Sequence, residues 1–229
     1  MITPRLEMIL RHVCGDSVTD IGTDHAYIPI ILADRGFKVI ATDISTGPLK
    51  SAEENIKKYN KDIELRLGSG LKPIKCGETD SIIIAGMGGE LIEKILSENP
   101  EKAKNSLLLL QPMNSQYELR KFLINSGYSI INEDLAAEGH KIYNLIIADS
   151  ESNHGGGENV CVFRSDIDFH LPPCLYYHKL FDLLLKKKER EFSKIYSGLC
   201  ASANGGGKEA EKYAFLLSEL KKIAEIVSG

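Results

Sequence analysis

The chain has 229 residues, 43% of them hydrophobic and 26% charged, with a formal net charge of −4. That length accommodates one medium domain, or one domain with an appendage, and the acidic balance argues against a strongly basic nucleic-acid wrapper while leaving room for a local basic patch. No apolar run reaches the length of a membrane-spanning helix, and residues 1–12 carry Pro4, Arg5, Glu7 and Arg11 in place of the continuous apolar core of a secretory signal.

In chain order, apolar runs alternate with amphipathic stretches up to about residue 150. Strands are expected near 17–21, 38–43, 62–67, 80–85, 106–111, 128–134 and 142–148, and helices near 3–12, 26–35, 47–60, 89–97 and 115–126. Such alternation implies a parallel sheet with helices on both faces. Ile82-Ile83-Ile84-Ala85 and Leu107-Leu108-Leu109-Leu110 are apolar without alternation, as expected of central strands covered on both sides. The last two strands are joined by Gly139-His140, which leaves no room for a helix, so they are expected to pair antiparallel at the end of the sheet. The expected fold class is therefore α/β, a mostly parallel seven-stranded sheet with an antiparallel last strand.

Beyond the sheet, residues 150–159 contain Gly155-Gly156-Gly157 and read as a loop. A helical stretch follows from about 173 to 202, with an apolar stripe of Phe181, Leu184, Leu185, Phe192, Ile195 and Leu199. Asn204-Gly205-Gly206-Gly207 breaks the chain, and a second helix runs from 208 to about 227, where Ala210, Tyr213, Leu217, Leu220, Ala224 and Val227 are spaced as a heptad seam. The two helices are expected to pack antiparallel, as a coiled-coil-like pair or an ordinary hairpin. The expected division is a sheet domain over 1–152, a linker over 153–172 and the hairpin over 173–229.

The residues with chemical potential stand at strand ends. Asp20-Ile21-Gly22-Thr23-Asp24-His25 passes from strand to helix through a single glycine. A carboxylate before that glycine is where many α/β enzymes hold an adenine-containing cofactor, although the three-glycine dehydrogenase pattern is absent. Without function, the same stretch is a tight turn in which Asp24 caps the next helix. Asp43 follows Asp20 by 23 residues and suits a ribose hydroxyl pair; alternatively it opens the helix begun by Ser45-Thr46-Gly47-Pro48. Ser69, in Gly68-Ser69-Gly70, faces an adenine amino group or simply turns the chain. Gly86-Met87-Gly88-Gly89 allows close backbone approach to a ligand at a helix N-terminus. Gln111 and Asn114 offer neutral donor–acceptor groups, or form a turn. Cys14, Cys76, Cys161, Cys174 and Cys200 form no CxxC pair, which indicates neither a disulfide framework nor a zinc site and suits a reducing cytoplasm. His12, His170 and His178 lack acidic partners at ligand spacing, so no metal is expected.

Taken together, the motifs resemble those of the bacterial tRNA (adenine-22-N1)-methyltransferases, the TrmK family. DIGTDHAYIPI, DISTGPL followed by Ala52 and Asn55, RLGSGL, IIIAGMGGELI, LLLQPMNSQ followed by Arg120 and Leu123, and KIYNLIIA stand in the family's order over residues 5–150. The resemblance implies a Rossmann-like class I methyltransferase fold with a two-helix C-terminal extension, residues 1–152 being the catalytic domain. It implies S-adenosylmethionine as methyl donor, S-adenosylhomocysteine as product and adenine N1 at position 22 of tRNA as acceptor. Carried over by position, Asp20, Gly22, Thr23, Asp43, Ile44, Ser69, Gly70, Gly86 and Met87 line the cofactor pocket. Asp24 and His25 face the reaction centre, and Gln111, Pro112 and Asn114 hold the target adenine. Ser69 stands where the family usually has Asp, and Asp43 where it often has Glu.

RNA binding by an acidic chain requires a local basic surface. The candidates are Arg5 and Arg11 on the first helix, and Lys187 and Lys188 on the hairpin, whose charged block is otherwise a solvated face. A cytoplasmic monomer without metal or membrane contact is expected. Two alternatives stay open: a methyltransferase of the same fold acting on a small molecule or another RNA, and a non-catalytic S-adenosylmethionine-binding module.

Overall fold

The structure, a computed structural model, describes residues 2–150, 160–202 and 206–228. It divides into two compact units, Met1–Cys161 and Val162–Gly229. The first contains α1 (Pro4–His12), β1 (Ser17–Ile21), α2 (Tyr27–Asp34), β2 (Lys38–Asp43), α3 (Thr46–Lys58), β3 (Glu64–Leu67), β4 (Ser81–Met87), α4 (Gly89–Glu98), a one-turn α5 (Pro100–Ala103), β5 (Leu107–Pro112), α6 (Gln116–Asn125), β6 (Tyr128–Glu138) and β7 (Lys141–Ser150). Every expected strand and helix of this unit is present. α5 was not expected, since four residues are too few to show a period; β6 and β7 flank Gly139-His140 as expected.

The seven strands lie in the order β3-β2-β1-β4-β5-β7-β6. β1 through β5 pair in parallel, and β7 runs antiparallel between β5 and β6. The unalternating runs foreseen as central strands are buried: Ile82, Ile83 and Ile84 on β4, and Leu108, Leu109 and Leu110 on β5. Met8, Ile9 and Leu10 of α1, and Ile28, Ile30 and Leu32 of α2, pack with the sheet residues Val18, Ile83, Leu109, Leu145 and Ile147 in one core. Burial of side chains of this size, at roughly 25 cal/mol per Å2, is what drives the layers together.

One buried pair is ionic. Arg120 of α6 and Glu133 of β6 are 1% and 0% exposed and meet through both ends, Nε to Oε1 at 2.7 Å and Nη2 to Oε2 at 2.8 Å. The fork geometry recovers part of the desolvation cost and fixes α6 over the edge of the sheet.

The second unit contains α7 (Asp166–His170), a 3-10 turn at Pro173–Leu175, α8 (Phe181–Cys200) and α9 (Gly207–Ser228). The first long helix thus starts at Phe181, not near 173, where residues Pro173–Leu175 form only a 3-10 turn. Ser165 caps α7 through a capping box with Asp168. α8 and α9 pack against each other. Gly206, at φ +72, turns the chain where a β-carbon would press on Leu199 and Ala210. The buried positions of α9 are Ala210, Leu216, Leu220 and Ile223. Ala210 and Leu220 are seam positions, and the other seam residues, Tyr213, Leu217, Ala224 and Val227, are half-buried; Leu216 and Ile223 extend the stripe to one side, on a helix against which α7 packs as well as α8. His170 and Tyr213 both meet the Phe192 ring, at 4.9 and 5.6 Å. The glycine loop at 155–157 and the Asn204-Gly205 break lie outside the described residues.

No helix among the described residues is long and apolar enough to cross a membrane, and none of their side-chain groups could hold a metal ion. Cys14, Cys76 and Cys200 are free thiols, whereas Cys161 and Cys174 are not. A search for CxxC pairs reads only neighbouring cysteines and does not reach these two.

Replacing one partner of the buried pair, as in Arg120→Met or Glu133→Leu, should cost about 3–5 kcal/mol in chemical denaturation, because the remaining buried charge loses this fork of two charge-assisted hydrogen bonds. The double replacement should recover most of that loss.

Candidate active site

The crevice forms where the strand order reverses. β1 lies in the middle of the sheet, with β2 on one side and β4 on the other, so the loops leaving β1 and β4 diverge at their C-terminal ends. A cavity of about 460 Å3 opens there. It is lined by Asp20, Gly22, Thr23, Asp24 and His25 from the first loop, by Ala85 and Gly86 of β4, and by Arg5, Met113 and Tyr143 from farther along the chain.

The first loop is built from the main chain outward. Gly22 and Thr23 both donate their N–H to the Thr42 carbonyl, at 2.8 and 2.9 Å, which ties the loop to the end of β2. Gly22 stands at φ +77, and a β-carbon on it would collide with the Met87 methyl group. Ala26 is left-handed at φ +55, a conformation that costs an L-residue roughly 1–2 kcal/mol. It is the N-cap of α2, and no side chain caps that helix. Asp24 is therefore not the cap of α2. Its side chain is instead 74% exposed at the cavity, 3.4 Å from Nε2 of a 46% exposed His25.

Asp20 is the buried charge of the site. Burial pushes its carboxyl up to about 6; the Thr23 hydroxyl donates to it and opposes the rise, and the nearby Asp43 carboxylate adds to it. Asp43 ends β2, and its Oδ1 accepts the Ser45 N–H at 2.7 Å, so it turns the chain without capping α3, which lacks a side-chain cap. Ile44 beside it is exposed. Gly68 N–H donates to the Asp43 carbonyl at 2.9 Å, which draws the Ser69-Gly70 turn to the same edge. Gly70 is left-handed and packs on Ile95.

The β4 loop begins at a bulge. Pairing with β5 shifts register between Ala85 and Met87, and Gly86 takes φ +78 there. Asn114 does not reach into the cavity: its Oδ1 and carbonyl oxygen accept the Gly89 N–H at 3.3 and 3.2 Å, using a donor of α4 that a ligand could otherwise have taken. Pro112 is buried at the end of β5, and Gln111 is wholly buried. Its Oε1 accepts a hydrogen bond from Nη1 of Arg5 at 3.1 Å. The Arg5 guanidinium also lies over the Tyr143 ring, 5.6 Å from its centre. Arg5, read from sequence as surface charge, thus lines the cavity.

The other basic candidates lie elsewhere. Arg11 and His12 share the Asp134 carboxylate, at 3.1 and 2.8 Å, so His12 has the acidic partner that spacing did not reveal. In the second unit Lys188 is largely covered, against Glu191 and the Phe192 ring, while Lys187 is exposed. Tyr143, Met113 and Tyr27 are cavity residues that sequence reasoning did not select. Tyr143 was within a quoted motif, but only the antiparallel placement of β7 brings it to the site.

Residues 2–146 match the family described as "Methyltransferase domain". A tRNA (adenine(22)-N(1))-methyltransferase of Bacillus subtilis (strain 168) is 36% identical over 155 residues, 65% of each chain. A candidate tRNA (m1A22) methyltransferase of Streptococcus pneumoniae superposes with a TM-score of 0.83 at 30% identity, over 97% of this chain and 99% of that one. The chain belongs to the TrmK family. The B. subtilis TrmK structure gives a TM-score of 0.82 at 26% identity, over 97% and 98% of the two chains. The S. pneumoniae protein in complex with S-adenosyl-L-methionine gives 0.79 at 29% identity, over 97% and 99%. The sequence match to the curated B. subtilis relative spans just under two thirds of that protein's length.

The close approach of α4 to the β5 loop admits no side chain. A methyl group at Gly89 would stand 2.5 Å from the Ser115 carbonyl oxygen, so Gly89→Ala should destabilise by about 1–3 kcal/mol. Gly47→Ala, with open space around it, should be neutral or stabilise by up to about 1 kcal/mol; thermal unfolding of the two variants makes the comparison.

Proposed function

We propose that this protein transfers a methyl group from S-adenosylmethionine to N1 of an adenine in tRNA, at position 22 by family, in the cytoplasm. The observation that carries the reading is the convergence of Asp20, Gly22 and Gly86 on one cavity with Asp24 and His25 at its mouth. The residues present fit such a cofactor. Asp20 is a buried carboxylate whose charge no cationic side chain offsets among the described residues, and a cationic ligand supplies that counter-charge. Gly22 and Gly86 present bare backbone for close approach. Asp43, at the end of β2, supplies a carboxylate suited to ribose hydroxyls.

When bound, the cofactor supplies a methyl group already activated by the sulfonium. The protein's task is then alignment. Adenine N1 is a neutral nucleophile buried within folded RNA, so the base must leave its stack to reach the cavity. Asp24 accepts a hydrogen bond from the exocyclic amine, which raises electron density at N1 and stabilises the positive charge left on the ring after transfer. His25 orients Asp24 or the base. Gln111 acts indirectly, by holding Arg5 at the cavity wall. Lys187 is the hairpin lysine whose charge is most available to RNA.

The test is incubation with labelled cofactor and unmodified tRNA, followed by mass-spectrometric mapping, which should place the methyl group on adenine N1. Asp24→Ala and His25→Ala should lower kcat by about a hundredfold or more with cofactor affinity retained; near-normal turnover in both would overturn their roles.

The Asp20 carboxyl sets a pH dependence. A cationic ligand prefers its ionised form, so cofactor affinity should rise with pH up to about 6 and level off above it. In the free protein the sign reverses: the folded state retains the proton between the ordinary value of 3.8 and about 6, so stability falls as pH rises across that window. Calorimetric titration from pH 5 to 7 should show the affinity change, and Asp20→Asn should flatten it.

A further inference from the structure

Asn55 lies inside α3, whose Ala52 and Ile56 enter the core. It is half-buried beside that stripe. Asparagine is a poor helix-interior residue, because its amide competes with the backbone for hydrogen bonds, so helix formation gives no reason for it here. Its Nδ2 donates to the carbonyl oxygen of His25 at 3.0 Å, across 30 residues of sequence. That carbonyl belongs to the peptide entering Ala26, the left-handed residue at φ +55. Alanine has no polar side chain with which to compensate that conformation, and α2 begins without a side-chain cap. The next carbonyl, that of Ala26, accepts the Ile30 N–H at 2.9 Å within α2. Ala26 is therefore held by the peptides on its two sides, the one that precedes it by Asn55 and the one that follows it by α2.

We propose that Asn55 is a positioning residue: by gripping the His25 carbonyl it keeps Ala26 left-handed and thereby aims Asp24 and His25 at the cavity. The bond is to main chain, and Asn55 is not among the cavity-lining residues, so its action is through the loop alone. The inference rests on the reading of Asp24 and His25 given under Proposed function. It goes beyond that reading by assigning the control of their geometry to a helix in the neighbouring βα unit.

Three variants of the full chain test it. Asn55→Leu removes the donor at similar size, Asn55→Gln keeps a donor, and Asn55→Leu combined with Ala26→Gly removes the donor but lets residue 26 be left-handed without strain. Amide hydrogen exchange over residues 24–28, cofactor affinity and kcat are measured for each. In Asn55→Leu, exchange in the loop should quicken about tenfold while the Thr19 amide in the sheet is unchanged. Its kcat should fall by about ten- to a hundredfold with cofactor affinity unchanged. The Gln variant and the double variant should each recover most of both losses. A kcat unchanged in Asn55→Leu overturns the proposal, as does a loss that neither recovers, which would leave Asn55 a stabiliser of α3 only. If the unaltered protein places no methyl group on adenine N1, the functional reading fails. The exchange measurements then decide this proposal alone, and an unchanged loop in Asn55→Leu overturns it.

Discussion

The site depends on a topological constraint. The first strand of the chain is a central strand of the sheet, and the strands on its two sides are reached by crossovers that leave in opposite directions. The loops that follow β1 and β4 cannot close over one another, and a crevice is left between them. The backbone completes it: Gly22 and Thr23 bind the same Thr42 carbonyl, and Gly86 bulges out of the β4–β5 ladder. Into that crevice the chain turns a carboxylate, Asp20, whose burial is costly enough to shift its ionisation towards neutrality. A buried carboxylate with no cation of its own is a poor contribution to stability and a good one to binding a cation.

Elements distant in sequence supply the rest of the wall. β6 carries both anchors of α1: Glu138 accepts the Arg5 N–H at 2.8 Å at one end of the helix, and Asp134 receives Arg11 and His12 at the other. Each acid meets the helix end whose charge it complements, or the basic residues that sit there. So anchored, α1 brings the Arg5 guanidinium between Gln111 and Tyr143. The buried Arg120–Glu133 pair fixes α6 against the same strand. The antiparallel end of the sheet thus serves as the frame on which the cavity's far side is hung.

Much of this was legible in the primary structure. Unalternating runs on β4 and β5 and the two-residue link before β7 announced a parallel sheet with one reversed strand, because side-chain period and loop length are local properties. The strand-end positions of Asp20, Gly22, Asp24, His25 and Gly86 were legible for the same reason. Partnership across the sheet was not. Asp134 is 122 residues from His12, and Gln111 is 106 from Arg5; no spacing rule reaches that far. The heptad spacing on α9 located its covered face but not the burial of Leu216 and Ile223 beside it, on a helix that meets α7 as well as α8.

The order of strands and helices, the expectation of an α/β sheet with a reversed last strand and the chemical identity of the groups at the strand ends all follow from the primary structure. It could not decide whether Asp24 caps a helix or faces a ligand, since both uses need the same residue at the same place. The tertiary structure removes the first use: Ala26 is the N-cap, no side chain caps α2, and Asp24 is exposed at the cavity. It likewise moved Arg5 from a surface to a wall and took Asn114 and Gln111 out of direct reach. The physical reason is common to all of them. A side chain's type is set by the sequence, but whether its hydrogen-bonding capacity is spent within the protein or left for a ligand depends on which distant backbone folding brings beside it.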